Sequence, residues 1–121
     1  MAHKVLIVDD LEDNIFIMEK MMKRINLQTK SVKSGKEALE TISEDDYSCI
    51  LLDVMMPDMD GIECALKFKE NPATKEIPII FVSAMNKTNL KAAQADLLGD
   101  YFEKPFDSDK LCNKVIDVIY N

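Results

Sequence analysis

Val5-Leu6-Ile7-Val8-Asp9-Asp10 is an unbroken apolar run that stops in two carboxylates, and Cys49-Ile50-Leu51-Leu52-Asp53 repeats the pattern with one. Runs of this kind suit strands buried on both faces, as in a parallel sheet covered by helices. If the two runs belong to one such sheet, Asp9, Asp10 and Asp53 meet at its carboxyl edge, where open α/β sheets bind ligands. Ser83 and Lys104 follow two further runs and reach the same edge. Three carboxylates, one hydroxyl and one ammonium carry a net negative charge. Such a group invites a divalent cation and, with it, can accept a phosphoryl group.

Outward from these runs, short apolar segments alternate with amphipathic ones five times, the signature of a β/α chain with parallel strands and helices on both faces. The expected strands cover residues 4–9, 28–32, 48–53, 77–82 and 100–103, and the expected helices 13–25, 35–45, 61–71, 89–98 and 108–120. Gln28-Thr29-Lys30-Ser31-Val32 is polar and alternating, so it belongs at an edge of the sheet. Ser34 and Asp107 are suited to cap the second and fifth helices. In the first helix Leu11, Met18, Met22 and Ile25 form one stripe flanked by Ile15 and Met21, while Phe16 and Ile17 fall outside it and suggest a docking surface. The longest connector runs over residues 70–76, and its Pro72 is well placed to end the third helix.

The chain has 121 residues, a hydrophobic share of 47% and a charged share of 31%, which predicts one domain over 1–121 with no output domain. No apolar run approaches the roughly 20 residues that a membrane helix needs, and no signal-peptide pattern opens the chain, so the expected location is cytoplasmic. A net charge of -7 argues against direct nucleic-acid binding, since phosphate backbones attract basic surfaces. Cys49, Cys64 and Cys112 match neither a zinc-ligand pattern nor a disulfide framework and read as small apolar fillers. His3, the only histidine, stands at the start of the chain and is expected to be solvated.

The chemistry of the five residues divides naturally. An oxygen-only set of carboxylates suits Mg²⁺, with Asp10 and Asp53 as ligands steered by Asp9. Asp53 can attack a phosphoryl group and form an acyl phosphate. Lys104 would pair with one phosphoryl oxygen and Ser83 would donate to another, which is the neutralisation that phosphoryl transfer requires. Taken singly, Asp9 or Asp10 could cap a helix, Ser83 could satisfy a turn and Lys104 could be a surface cation. Together they form a complete site.

Val8-Asp9-Asp10, then Leu52-Asp53-Val54-Met55-Met56-Pro57-Asp58-Met59-Asp60-Gly61, then Val82-Ser83-Ala84, then Tyr101-Phe102-Glu103-Lys104-Pro105-Phe106, closely resemble the receiver domain of two-component response regulators. The resemblance covers the whole chain. It implies a flavodoxin-like, doubly wound (βα)5 fold with a five-stranded parallel sheet in the order 2-1-3-4-5. It also implies that Asp53 accepts a phosphoryl group from a histidine kinase or a histidine phosphotransfer protein. By the same resemblance Asp9, Asp10 and Asp53 hold Mg²⁺ with the Met55 carbonyl, Lys104 and Ser83 bind the phosphoryl group, and the Lys104-Pro105 bond is cis. Tyr101 resembles the aromatic that turns inward when Ser83 moves, altering the face of the fourth helix, fifth strand and fifth helix that a downstream target reads. Asn14, Phe16, Ile17, Met21 and Phe106 are the expected partner surface, with kinase contact on the first helix.

Such a protein is a switch that catalyses only its own phosphorylation and dephosphorylation; as an output it could be a shuttle, a relay intermediate or a receiver cut from a larger hybrid kinase. Two departures stand out. Asp96-Leu97-Leu98-Gly99-Asp100 replaces the family's more usual Ala-Gly-Ala stretch, so the fourth helix is expected to end differently. Met55 and Met85 occupy slots where polar side chains would orient water, which predicts slow self-dephosphorylation. A haloacid-dehalogenase-like phosphatase would need Asp-x-Asp after the first strand, where Asp9-Asp10-Leu11-Glu12 stands. A flavodoxin-like electron carrier would need a hydroxyl- and Gly-rich phosphate loop there, and these acids would repel the phosphate.

Overall fold

A computed structural model describes residues 3–85 and 100–120; the fourth expected helix and its altered end at residues 96–99 lie outside them. In chain order the described elements are β1 (Lys4–Val8), α1 (Glu12–Arg24), β2 (Gln28–Val32), α2 (Gly35–Thr41), β3 (Cys49–Leu52), α3 (Gly61–Glu70), β4 (Ile79–Ser83), β5 (Asp100–Glu103) and α4 (Ser108–Tyr120). The strands form one parallel sheet in the order β2-β1-β3-β4-β5. This is the implied order, and the polar β2 is at the edge as its alternation requires.

The unbroken apolar runs are explained by the two cores that they serve. Leu6, Val8, Ile50, Leu52 and Phe81 face α2 and α3, where Ala38, Ala65 and Phe68 close one core. Val5, Ile7, Cys49, Leu51, Ile80 and Val82 face α1 and α4, where Met18, Met22, Leu111 and Val115 close the other. Successive strand residues point to opposite faces, so a sheet covered twice needs apolar residues at every position. The three cysteines are free and buried, as expected of apolar fillers. Burial pushes the thiols of Cys49 and Cys64 up to about 12.

Local signals set the helix ends. The Ser34 hydroxyl accepts the Glu37 N–H at 3.1 Å, and the Asp107 carboxylate accepts the Asp109 and Lys110 N–H groups at 2.9 and 3.2 Å, so both expected caps are present. In α1, Glu12 and Asp13 open the helix and Lys23 and Arg24 close it, each sign opposed to the nearby end of the helix dipole. Asn26, at φ 63°, then turns the chain out of the helix.

Three expectations need correction. Leu11 leaves the α1 stripe: it occupies the cap with extended backbone and is exposed, while Ile15 and Met21 join Met18 and Met22 in the core. Met21 is thus only 4% exposed and is no free surface residue. His3 is half-buried, its Nδ1 2.9 Å from the Ser48 hydroxyl and its ring edge-on to Tyr120.

Candidate functional site

The carboxyl edge is built by residues that stand one step beyond their strands and remain on the ladder. The N–H of Asp9 donates to Val32 at 3.2 Å, that of Asp53 to Val8 at 3.0 Å and that of Lys104 to Ser83 at 2.8 Å. Each side chain therefore leaves a backbone fixed by a neighbouring strand. Asp9 and Asp53 lie on the adjacent strands β1 and β3, where the sheet order reverses and an open crevice forms.

All five expected side chains meet there. Carboxylate oxygens of Asp9, Asp10 and Asp53 lie within 4.8 Å of one another. Asp9 is wholly buried and Asp53 nearly so, whereas Asp10 is half-buried and opens the group to solvent. Asp9 and Asp53 each commit one oxygen to their own loop: Asp9 Oδ1 accepts the Leu11 N–H at 3.0 Å and Asp53 Oδ1 the Met55 N–H at 3.1 Å. The second oxygens face Lys104, whose Nζ is 2.9 Å from Asp9 Oδ2 and 3.5 Å from Asp53 Oδ2. The Ser83 hydroxyl accepts the Met85 N–H at 3.2 Å.

Burial pushes the Asp53 carboxyl above the usual carboxylate range, while Lys104 and the Ser83 hydroxyl pull it back. Three carboxylates beside one ammonium leave an excess of negative charge in a crevice where two of the three acids are buried. Their donors are all oxygens, without imidazole or thiolate, so the set fits a hard divalent cation such as Mg²⁺.

The remaining expected residues divide into two groups. Tyr101 lies half-buried at the end of the crevice, its hydroxyl donating to the Met85 carbonyl at 2.6 Å and its ring stacked on Phe81 at 6.1 Å. The Lys104-Pro105 bond is cis. Met55 turns its side chain out, 53% exposed, and Met85 packs against the α2/α3 core. On the α1 side, Phe16 and Ile17 are 58% and 51% exposed. With Met18, Met21, Pro105 and Phe106 they line an apolar groove of about 850 Å³, edged by Asn14, Lys20 and Arg24 and ending at Lys104. Met21 belongs to this groove as floor, not as rim.

The sequence reading passed over Asp60, whose carboxylate accepts the Glu63 N–H at 2.8 Å and so starts α3 directly after the Asp53 loop. The legible signal was an acid followed three residues later by Glu63.

Comparison with known proteins bears on the family and the fold. The family model of the response regulator receiver domain matches residues 5–116. The transcriptional regulatory protein SrrA of Staphylococcus aureus is 38% identical over 117 residues, 95% of this chain and 47% of that protein. The chain therefore spans about half the length of this relative. The receiver domain of a Francisella response regulator superposes with a TM-score of 0.86 at 29% identity, covering 98% of this chain and 97% of that one. The receiver domain of the sensor histidine kinase PA1611 from Pseudomonas aeruginosa PAO1, with a magnesium ion coordinated in its active-site cleft, superposes with a TM-score of 0.87 at 24% identity over 100% of both chains.

Proposed function

Because the chain belongs to the response regulator receiver domain family, we propose that it is a phosphorylation-controlled signalling switch whose phosphoacceptor is Asp53. The observation that carries this reading is one buried carboxylate, Asp53, set among two further carboxylates and 3.5 Å from the Lys104 ammonium. In the proposed reaction an Asp53 oxygen attacks the phosphorus of a phosphohistidine on a histidine kinase or histidine phosphotransfer protein. The new O–P bond forms as the P–N bond breaks, and the imidazole leaves with the electron pair and takes up a proton. Lys104 releases its hold on the Asp53 oxygen and pairs with a phosphoryl oxygen, while Ser83 donates its hydroxyl to another. Mg²⁺ held by Asp9, Asp10, Asp53 and the Met55 carbonyl would supply the positive charge that neutralises the phosphoryl oxygens.

The groove between α1 and the segment after β5 is the proposed contact for the phosphodonor, with Asn14, Phe16, Ile17 and Phe106 at its surface, Met21 as its floor and Lys104 at its inner end. Output is proposed to run from Ser83 through Tyr101 to the β5 and α4 side, where a downstream target protein binds. The chain performs no turnover beyond its own phosphorylation and dephosphorylation, and with Met55 and Met85 in place of polar side chains that would orient water, the hydrolysis is slow. A cytoplasmic location is supported by three unpaired cysteines and by the lack, among the described residues, of any helix long and apolar enough to cross a membrane. The acidic surface does not suit direct nucleic-acid contact by this domain.

Acetyl phosphate with Mg²⁺ is expected to add one phosphoryl group to the wild type and none to Asp53→Ala, read by intact mass. Modification of the Ala variant in equal yield would overturn the assignment.

A further inference from the structure

Two helices of this fold begin alike. Ser34 and Asp60 each cap with a side-chain oxygen, and each is followed by a buried glycine, Gly35 in α2 and Gly61 in α3. Neither glycine is needed for backbone freedom, because neither has a positive φ. They differ in what stands beside them. A Cβ on Gly35 would lie 2.8, 3.1 and 3.3 Å from Sδ, Cγ and Cβ of Met59, side-chain atoms of the loop before α3 and none of its backbone. A Cβ on Gly61 would lie 2.1 Å from the carbonyl oxygen of Asp53 and 2.8 Å from Val54 Cα, both backbone.

We propose that Gly61 is a positioning residue for Asp53. Its missing side chain lets the first residue of α3 close on the peptide group of the phosphoacceptor itself. The Gly61 N–H seals the closure by donating to the Val54 carbonyl at 2.9 Å. The intervening loop, residues 55–60, is then held so that the Met55 N–H meets Asp53 Oδ1. The strand side cannot yield, since the Asp53 N–H is bound to Val8 of β1. An added Cβ must therefore push α3 and its loop away by about 1 Å, drawing the Met55 N–H from the carboxylate, and a misplacement of that size costs up to about 100-fold in rate. This inference rests on the reading of Asp53 as phosphoacceptor.

The test compares wild type, Gly35→Ala and Gly61→Ala for the rate of phosphoryl uptake from acetyl phosphate with Mg²⁺, and for the Met55 amide resonance and its hydrogen exchange in the unphosphorylated chain. Gly35→Ala is expected to stay close to the wild type in both. Gly61→Ala is expected to be slower by about tenfold or more, with a displaced and faster-exchanging Met55 amide. If Gly61→Ala does not fold, Asp60→Ala carries the same test, because it loosens the first turn of α3 without adding an atom. It should slow uptake by about threefold or more and move the same amide. A folded Gly61→Ala chain with wild-type uptake and an unmoved Met55 amide overturns the inference, as does an Asp60→Ala chain unchanged in both. A wild type that takes up no phosphoryl group overturns the Asp53 reading and this inference with it; a labelled wild type beside an equally labelled Gly61→Ala overturns this inference alone.

Discussion

Asp53 carries its charge where water is scarce, and the stability of the chain should register that. Burial holds its carboxyl above the usual range, so the folded state binds this proton more tightly than the unfolded chain does. Stability therefore falls as pH rises from the ordinary carboxylate value through the raised one, and the full cost is present above it. In chelator at pH 7, Asp53→Asn is expected to resist urea better than the wild type, with the gap closing as pH falls from above the raised value to the ordinary carboxylate one. A wild type at least as stable as Asp53→Asn at pH 7 would contradict this account. Lys104 works in the opposite sense. Its ammonium, 2.9 Å from the fully buried Asp9, compensates a charge that has no access to solvent. Lys104→Met should lose about 3 kcal/mol in chelator, the scale of breaking a buried pair, and should regain part of it in millimolar Mg²⁺. Urea titrations with and without the ion check both halves. Asp9, Asp10, Asp53 and Ser83 were legible because apolar runs end in them, and Lys104 because it closes the last strand segment, Asp100-Tyr101-Phe102-Glu103; the role of Gly61 was not, because no local pattern tells that a helix start will touch the backbone of Asp53.

At the scale of elements, α1 presents two faces with different duties. Phe16 and Ile17 face outward at the groove, so Phe16→Ser and Ile17→Ser should change stability by no more than about 0.5 kcal/mol. Uptake from acetyl phosphate should be unaffected, while transfer from a phosphohistidine protein should slow; equal rates from both donors in the variants would remove α1 from the contact. Phe68 in α3 is the contrast, 1% exposed and closing the core, and Phe68→Ala is expected to lose about 3–5 kcal/mol by urea unfolding. Several element bounds agreed with the sequence reading, β5 and α4 at both ends. The exceptions have local causes. Helix α2 stops at Thr41, because Ser43-Glu44-Asp45-Asp46 offers no apolar face to bury. Strand β4 starts at Ile79 because Pro78 lends a carbonyl to Ile50 but has no N–H to give. Met21 is buried because α1 packs against both the sheet and the neighbouring α4, which covers a wider arc than a single stripe.

For the whole molecule, the carboxylate edge couples to everything the sheet holds, since one sheet with a core on each face melts as a unit. A cation that binds only the folded edge should raise the unfolding temperature of the entire chain, increasingly with concentration. Mg²⁺ is expected to do so by calorimetry while NaCl of equal ionic strength does not, and Asp10→Asn should blunt the response; an equal effect of NaCl would mean general screening. At this scale the residues themselves made only the edge place of β2 legible, through its polar alternation, while the full order 2-1-3-4-5 came with the family resemblance. A last consequence comes from the rings of His3 and Tyr120, which touch edge to face with centroids 4.9 Å apart. They meet at the pole where the strands begin, opposite the carboxylates. A short peptide could join them and the chain be reopened in the exposed stretch 43–46, leaving every strand whole. A chain permuted in this way is expected to fold and to take up a phosphoryl group from acetyl phosphate as the wild type does, read by intact mass.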